Sequence, residues 1–215
     1  ESLTLVPAEI EPERTAHIRG TLLDSLGRAD EAFVAFKQTN TLHEANPSEP
    51  LRRAAELREL LRTELDFMTP DWVKGWPEAK IPSDPPDPVF LVGFPPSGTT
   101  LLDRILMGHP GTMVLEEQPP LNYTDKKVDG IAGIPALDEQ GIADARSFYF
   151  DEISKIAKIE PARLLIDKSP LFLNKATLIQ RLFPNARFIL ALRHPCDVVL
   201  SFFMTNFRLN SAMSN

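Results

Sequence analysis

Gly93-Phe94-Pro95-Pro96-Ser97-Gly98-Thr99-Thr100 is the stretch of sequence that decides the fold. The apolar residues 89–92 before it predict a short buried strand, and residues 99–107 predict a helix. The apolar side of that helix is predicted to consist of Leu101, Leu102, Ile105 and Leu106. Where a strand turns into a helix, consecutive backbone N–H groups form a positive concavity that suits a phosphate. The hydroxyl groups of Ser97, Thr99 and Thr100 add hydrogen-bond donors. We therefore predict that residues 93–100 bind a phosphate, and we call them the phosphate loop.

The glycine spacing of the phosphate loop also matches nucleoside-triphosphate loops, in which a lysine follows the second glycine. Here Thr99 follows Gly98, so the side chain that would contact the terminal phosphates of a nucleoside triphosphate is missing. An ordinary turn between a strand and a helix, with no ligand, is the simpler alternative. The clustered hydroxyl groups favour anion binding over that alternative.

Three further apolar runs predict strands that end in polar side chains. They are residues 112–115 before Glu116 and Glu117, residues 164–166 before Asp167 and Lys168, and residues 188–192 before Arg193. Helical patterns lie between the runs, which is typical of parallel strands joined by helical crossovers. Because the carboxyl ends of parallel strands line one crevice, we expect the two glutamates, the lysine and the arginine to converge there with the phosphate loop. The predicted fold class is α/β, with a parallel sheet of the P-loop type and flanking helices.

The last of these runs predicts a second phosphate site. Arg193 follows the strand, and Ser201 lies eight residues further along a predicted helix. A guanidinium group binds phosphate through two parallel hydrogen bonds, and a serine two turns into the helix supplies another donor. The alternative is that Arg193 pairs with a nearby carboxylate such as Asp197. Two anion sites on neighbouring strands favour a ligand that carries phosphates at both ends.

The N-terminal part of the chain has a different, all-helical pattern. Two helices are predicted between residues 13 and 44, with a turn at residues 27–29. Their small and large residues follow the spacing of a tetratricopeptide repeat, in which small residues let the paired helices approach closely. Those positions are Gly20, Leu23, Gly27, Ala32 and Phe36. We predict a small tetratricopeptide-like helical region before the α/β domain.

A proline-rich segment separates the two regions. Six prolines between residues 70 and 88 forbid a continuous helix or a central strand there. We therefore predict a helical region over residues 1–69, a linker over residues 70–88 and a nucleotide-binding domain over residues 89–215. Trp72 and Trp76 are expected to anchor the linker on a domain.

The overall composition excludes several functional classes. A net charge of −7, with no block rich in lysine and arginine, argues against a nucleic-acid partner. No apolar run reaches the ~20 residues that a membrane-spanning helix needs. The single cysteine, Cys196, cannot form an intrachain disulfide, and a cytoplasmic location is the expectation. The four histidines show no metal-ligand spacing, so we predict no metal site.

The phosphate loop and the segment around Arg193 together resemble the sulfotransferases. Residues 93–102 resemble the loop that binds the 5′-phosphosulfate of the donor in that family, and residues 187–201 resemble its 3′-phosphate-binding strand and helix. Within the superfamily, the tyrosylprotein sulfotransferases and the bacterial sulfotransferases with tetratricopeptide repeats are the most similar. They share the order and spacing of His109-Pro110, Glu116-Glu117 and the run from Arg181 to Arg193.

The resemblance implies a donor, an acceptor and residue roles. The donor would be 3′-phosphoadenosine 5′-phosphosulfate, and the acceptor a hydroxyl group, with peptide tyrosine suggested by the most similar branch. Glu117 would be the general base, with Glu116 as an alternative, and Lys168 would stabilise the transferring sulfuryl group. The residues expected to hold the donor are Pro96, Ser97, Gly98, Thr99, Thr100, Arg193 and Ser201.

This sequence departs from the family pattern at two of its positions. Pro96 stands where the family carries a basic residue, and Thr205 stands where the tyrosylprotein branch carries a further arginine. One alternative is therefore a binding protein that uses its helical repeat to recruit a protein and whose nucleotide domain is catalytically impaired. The other alternative is a P-loop phosphotransferase.

Overall fold

The computed structural model describes residues 11–207, and the contacts divide the chain into two compact units. One unit contains residues 11–63 and 194–207, and the other contains residues 64–193. The helices and strands, in chain order, are α1 Pro12–Ser25, α2 Ala29–Glu44, α3 Pro50–Phe67, α4 Pro70–Lys74, β1 Val89–Gly93, α5 Thr99–Met107, β2 Thr112–Glu116, α6 Pro120–Lys127, α7 Gly130–Gly133, α8 Glu139–Ser154, β3 Leu164–Lys168, α9 Ala176–Leu182, β4 Arg187–Ala191 and α10 Pro195–Met204.

The first unit is built on a helical hairpin of α1 and α2. Leu23 of α1 packs with Ala32, Ala35 and Phe36 of α2 in a small apolar core. Gly20 makes this close approach possible, because a Cβ atom there would lie 2.7 Å from the Phe36 ring. The predicted hairpin and its use of a small residue are confirmed. Its assignment as a tetratricopeptide repeat stays a prediction.

Helix α10 also belongs to the helical unit. Phe203 and Met204 pack against the hairpin core. Asn40 Nδ2 donates a hydrogen bond to the Phe203 carbonyl at 3.0 Å, and His17 Nε2 lies 3.1 Å from the Met204 carbonyl. The division between the units falls within α3, after Thr63. The boundaries expected from the proline-rich segment, at residues 69 and 88, stay predictions.

The second unit contains a four-stranded sheet with the order β2-β3-β1-β4, and every pairing in it is parallel. This confirms the α/β fold with a parallel sheet and flanking helices. In the register, Lys168 pairs with Leu91 on one side and with Glu116 on the other, and Gly93 pairs with Ala191. The carboxyl ends of all these strands therefore meet at one edge. Strand β3 extends through Lys168, two residues beyond the predicted end.

Helices cover both faces of the sheet. On one face, α8 and α9 pack against Phe90, Val92 and Leu115. Trp72 and Trp76 join this cluster and anchor the proline-rich segment on the α/β unit, as predicted. On the other face, Val89, Leu91 and Ile166 form a second cluster, and α5 packs against it. Among residues 11–207, no helix is both long and apolar enough to cross a bilayer.

Helix α5 uses a different face from the one expected. The sequence suggested an apolar side of Leu101, Leu102, Ile105 and Leu106. Leu102 and Leu106 do pack against the sheet, but Leu101 and Ile105 are exposed. The buried face instead includes Thr99 and Asp103.

Candidate active site

The phosphate loop begins at the end of β1 and leads directly into α5. Gly98 has φ +85°, a left-handed conformation that strongly favours glycine, and its carbonyl accepts the Leu101 and Leu102 N–H groups, each at 3.1 Å. Gly93 is needed for close approach. A Cβ atom there would lie 2.6 Å from Ser97 Oγ and 2.8 Å from the Ala191 carbonyl. The two glycines therefore fix the path of the loop.

The interior of the loop offers a donor without an acceptor. Ser97 Oγ is buried and has no hydrogen-bond partner in the part of the chain that the structure describes. Buried hydroxyl groups are nearly always paired, and a helix N-terminus leaves its first N–H groups without intrahelical partners. Thr99 is buried as the first residue of α5, and Thr100 is exposed beside it. The loop thus fits the phosphate or sulfate group that the sequence predicted for it.

The arginine predicted for a second phosphate site lies at this same loop. Arg193 Nη1 donates a hydrogen bond to the Pro96 carbonyl at 3.2 Å, and the side chain is exposed. The Arg193 guanidinium group therefore lies beside Pro96, a residue that itself carries no charge. Ser201 lies in α10 of the helical unit, where its carbonyl accepts the Thr205 hydroxyl at 2.6 Å. The pairing of Arg193 with Ser201 around one phosphate stays a prediction.

Lys168 lies at the centre of the carboxyl edge of the sheet, and its side chain is wholly buried. Three carboxylates surround its ammonium group, and we call them the carboxylate cluster. Their nearest oxygens are Glu117 Oε1 at 2.7 Å, Asp103 Oδ2 at 3.2 Å and Glu116 Oε1 at 3.7 Å. The structure therefore brings Glu117 and Lys168 together, as predicted. Lys168 pairs with Leu91, which lies two residues before the end of β1.

Two opposing effects set the protonation of Lys168. Burial disfavours the charged ammonium and by itself lowers the pKa. The hydrogen bond to Glu117 and the negative charges of Glu117 and Asp103 favour the ammonium and outweigh burial, so the pKa of Lys168 is raised above its usual value. The site therefore holds a buried, fully charged lysine at neutral pH.

Backbone geometry holds Glu117 against this lysine. Glu117 has φ +50°, a left-handed conformation that is uncommon for residues other than glycine. Its N–H donates to the Lys168 carbonyl at 2.7 Å, which extends the β2–β3 pairing by one residue. Its side chain is nevertheless 58% exposed, so the carboxylate faces both the buried lysine and solvent. Such a group can accept a proton from an incoming molecule.

Glu116, the alternative base, is placed differently. Its Oε2 accepts a hydrogen bond from Arg104 Nη2 at 3.2 Å, while its Oε1 lies at the edge of the carboxylate cluster. Its side chain is 32% exposed, against 58% for Glu117, and it is therefore less accessible to an incoming molecule. The geometry favours Glu117 over Glu116 as a proton acceptor.

Sequence reasoning missed the burial of two acids in this region, Asp103, which it did not single out, and Asp167, which it named only as a residue after a predicted strand. Asp103 is wholly buried on α5, and Asp167 is wholly buried on β3, where it accepts a hydrogen bond from the Tyr149 hydroxyl at 2.8 Å. Burial raises the pKa of Asp167 to about 7 and raises that of Tyr149 well above its usual value. The sequence did contain a signal for the burial of Asp103. With Thr99, Leu102 and Leu106 it lies at the i, i+3, i+4, i+7 positions that form one face of a helix.

Comparison with known proteins identifies the family. The sulfotransferase family profile matches residues 88–215. Protein-tyrosine sulfotransferase 2 of Gallus gallus is 34% identical over 115 residues, which cover 49% of this chain and 30% of that protein. Protein-tyrosine sulfotransferase 1 of Homo sapiens is 35% identical over 115 residues, with the same coverage of 49% and 30%. An uncharacterized protein of Aquifex aeolicus is 27% identical over 95% of this chain and 28% of its own length.

The chain spans less than a third of the length of each of these relatives. The matched family region nevertheless contains the phosphate loop, the carboxylate cluster, Lys168 and Arg193, which are the parts that the structure brings to one edge of the sheet. Because the family profile covers more than half of the sequence, this chain belongs to the sulfotransferase family.

Proposed function

We propose that this protein transfers a sulfuryl group from 3′-phosphoadenosine 5′-phosphosulfate to an acceptor hydroxyl. One observation carries the proposal, namely the pairing of Glu117 with the buried Lys168 at 2.7 Å, at the sheet edge where the phosphate loop begins. A proton acceptor and a buried cation are the two groups that sulfuryl transfer to a hydroxyl needs from a protein. The unpartnered Ser97 hydroxyl supports an anionic donor in the loop.

The donor supplies a sulfuryl group that is already activated by its bond to a phosphate. The acceptor oxygen forms a new bond to sulfur while the sulfur–oxygen bond to the phosphate breaks, and the acceptor proton goes to Glu117. A hydroxyl is a weak nucleophile at neutral pH, so the base must act as attack proceeds. Lys168 engages Glu117 through Oε1, which leaves Oε2 to receive that proton.

Lys168 and the phosphate loop stabilise the charge that develops during transfer. Negative charge accumulates on the oxygen that leaves sulfur, and a buried ammonium interacts with it more strongly than a hydrated one would. The ammonium is held in place before the reaction, so no reorganisation is needed. This electrostatic role requires no metal ion.

Peptide tyrosine is the acceptor we propose. The support is the likeness to protein-tyrosine sulfotransferases over about half of the chain. A glycan or a small hydroxyl compound would use the same base and loop, so the acceptor is a separate question from the transfer itself. Recruitment of a protein acceptor by the helical hairpin is also part of this proposal.

The experiment uses isotopically labelled donor with tyrosine peptides, glycans and small phenols offered in parallel. Label is expected on the tyrosine peptides, and Glu117→Gln should lower kcat by roughly 10²–10⁴-fold, as for loss of a general base. Glu160→Gln is the matched control, since Glu160 is similarly exposed and pairs with Arg163 away from the sheet edge. Transfer only to glycans would refute the acceptor, and transfer to none with donor unbound would refute the activity.

A binding protein with an impaired nucleotide domain is the second candidate, and Pro96 is the observation that favours it. Proline gives the phosphate loop neither a charge nor an N–H donor. Against it, Arg193 brings a guanidinium group to the Pro96 carbonyl. Pro96→Arg separates the two cases, because a large gain in transfer would indicate an impaired wild type. ATP-dependent product formation would instead indicate a phosphotransferase.

A further inference from the structure

The carboxylate cluster contains one more negative charge than the proposed chemistry uses. Glu117 is assigned as the base, and Glu116 is shared with the exposed Arg104. Asp103 has no such task. It lies on α5, in the first turns after the phosphate loop, and its side chain is wholly buried.

The surroundings of Asp103 single out Lys168 as its partner. Neither carboxylate oxygen makes a well-formed hydrogen bond within residues 11–207. The cations within 4 Å are Lys168 Nζ at 3.2 Å and Arg104 Nε at 3.9 Å, and Arg104 is exposed. Burying a carboxylate that lacks hydrogen bonds is unfavourable, and an apolar residue on this helix face would pack at lower cost. A carboxylate at this position therefore calls for an explanation beyond packing.

We propose that Asp103 is a positioning residue that anchors the Lys168 ammonium at the sheet edge, so that Glu117 can act as the base. The inference rests on the proposed function. It follows from what happens when Glu117 accepts a proton. The acid then becomes neutral and no longer supports the positive charge of Lys168, at the moment when charge on the departing oxygen is greatest. Asp103 remains as the buried counter-ion and keeps the ammonium in place.

The electrostatics of the cluster agree with this role. Burial alone would lower the pKa of Lys168, and it is Glu117 and Asp103 that raise it. The charged groups that face Lys168 are Asp103 from α5 and Glu116 and Glu117 at the end of β2. Of these, Asp103 is the one that is fully withdrawn from solvent. Removing it should therefore make the lysine lose its proton more easily.

The test is an NMR titration of isotope-labelled lysine side chains in the full protein without nucleotide. In Asp103→Asn, which keeps the shape of the side chain, the titration midpoint of Lys168 is expected to fall by about one pH unit, as for loss of an opposite charge at this distance. Asp125→Asn is the matched control, because it removes the partner of Lys175 at 2.5 Å in the same unit and leaves Lys168 untouched. An unchanged midpoint in Asp103→Asn would overturn the inference.

Glu117→Gln provides a second variant in case Asp103→Asn does not fold. Glu117 is more than half exposed, so its amide is tolerated, and Asp103 then remains the main counter-ion. Lys168 is expected to stay charged at neutral pH, whereas a midpoint below neutrality would show that Asp103 does not hold it. The titration needs neither donor nor acceptor. A protein that shows the expected titration but transfers no sulfuryl group would contradict the proposed function alone.

Discussion

Replacing Ser97 by alanine should move stability and nucleotide affinity in opposite directions. Ser97 Oγ is buried without a hydrogen-bond partner in the described part of the chain, and such a group costs about 1–3 kcal/mol of desolvation. Ser97→Ala removes that cost. In a chain of 215 residues, each kcal/mol raises Tm by about 2–4 °C. The ligand-free variant is therefore expected to melt a few degrees above the wild type.

The same change should weaken binding of 3′-phosphoadenosine 5′-phosphate. A hydrogen bond to a charged group contributes about 1.5–3 kcal/mol, so Kd should rise roughly ten- to a hundredfold. Thermal unfolding followed by circular dichroism and titration calorimetry measure the two effects. Ser154→Ala is the matched control, since Ser154 Oγ already donates to the Phe150 carbonyl at 2.9 Å. That variant should lose stability and keep its affinity. A Ser97→Ala protein that melts lower and binds equally well would refute a ligand role for the hydroxyl.

Gly93→Ala should lower both Tm and nucleotide affinity, because the new Cβ atom would clash with Ser97 and with a backbone carbonyl of β4. Gly75→Ala is the control, since a Cβ atom there would make only ordinary van der Waals contacts. Arg193→Ala should raise the nucleotide Kd roughly tenfold by calorimetry, and an equal rise in the exposed Arg187→Ala would show a non-specific effect. The pKa of Asp167 is raised from 3.8 to about 7, so the folded chain binds this proton more tightly than the unfolded chain and loses that stability as pH rises between those values. Denaturant titration of Asp167→Asn should show a gain over wild type of up to about 4 kcal/mol at pH ~8 and little difference at pH ~4, and a pH-independent difference would contradict the assignment.

The elements of the α/β unit could be predicted because each leaves a local trace in the sequence. Strand β1 and helix α5 were expected close to their observed positions. An apolar run, a glycine-containing turn and a segment with helical spacing of apolar residues follow one another there without interruption. The parallel arrangement followed from helical patterns between apolar runs. The convergence of Glu117 and Lys168 then required only the rule that parallel strands end at one edge.

What the sequence could not reveal depends on contacts between distant elements. The helical period alone did not determine which side of α5 faces the sheet, because apolar residues lie on more than one side of that helix. Because Leu101 and Ile105 were assigned to the buried side of α5, the burial of Asp103 was not predicted. Similarly, the sequence predicted that Arg193 would converge on the crevice beside the phosphate loop, but not which residue of the loop it would contact. Its hydrogen bond to Pro96 joins residues 97 positions apart, which no local pattern encodes.

The left-handed backbone at Glu117 and its N–H bond to the Lys168 carbonyl have a consequence for how this site can evolve. The distance between Glu117 and Lys168 is set by the hydrogen-bonded pairing of two neighbouring strands, not by the conformation of a surface loop. Surface loops can then lengthen, shorten or change sequence without altering that spacing. A scaffold of this kind can acquire new acceptors by substitutions in its loops while the reacting groups keep their positions.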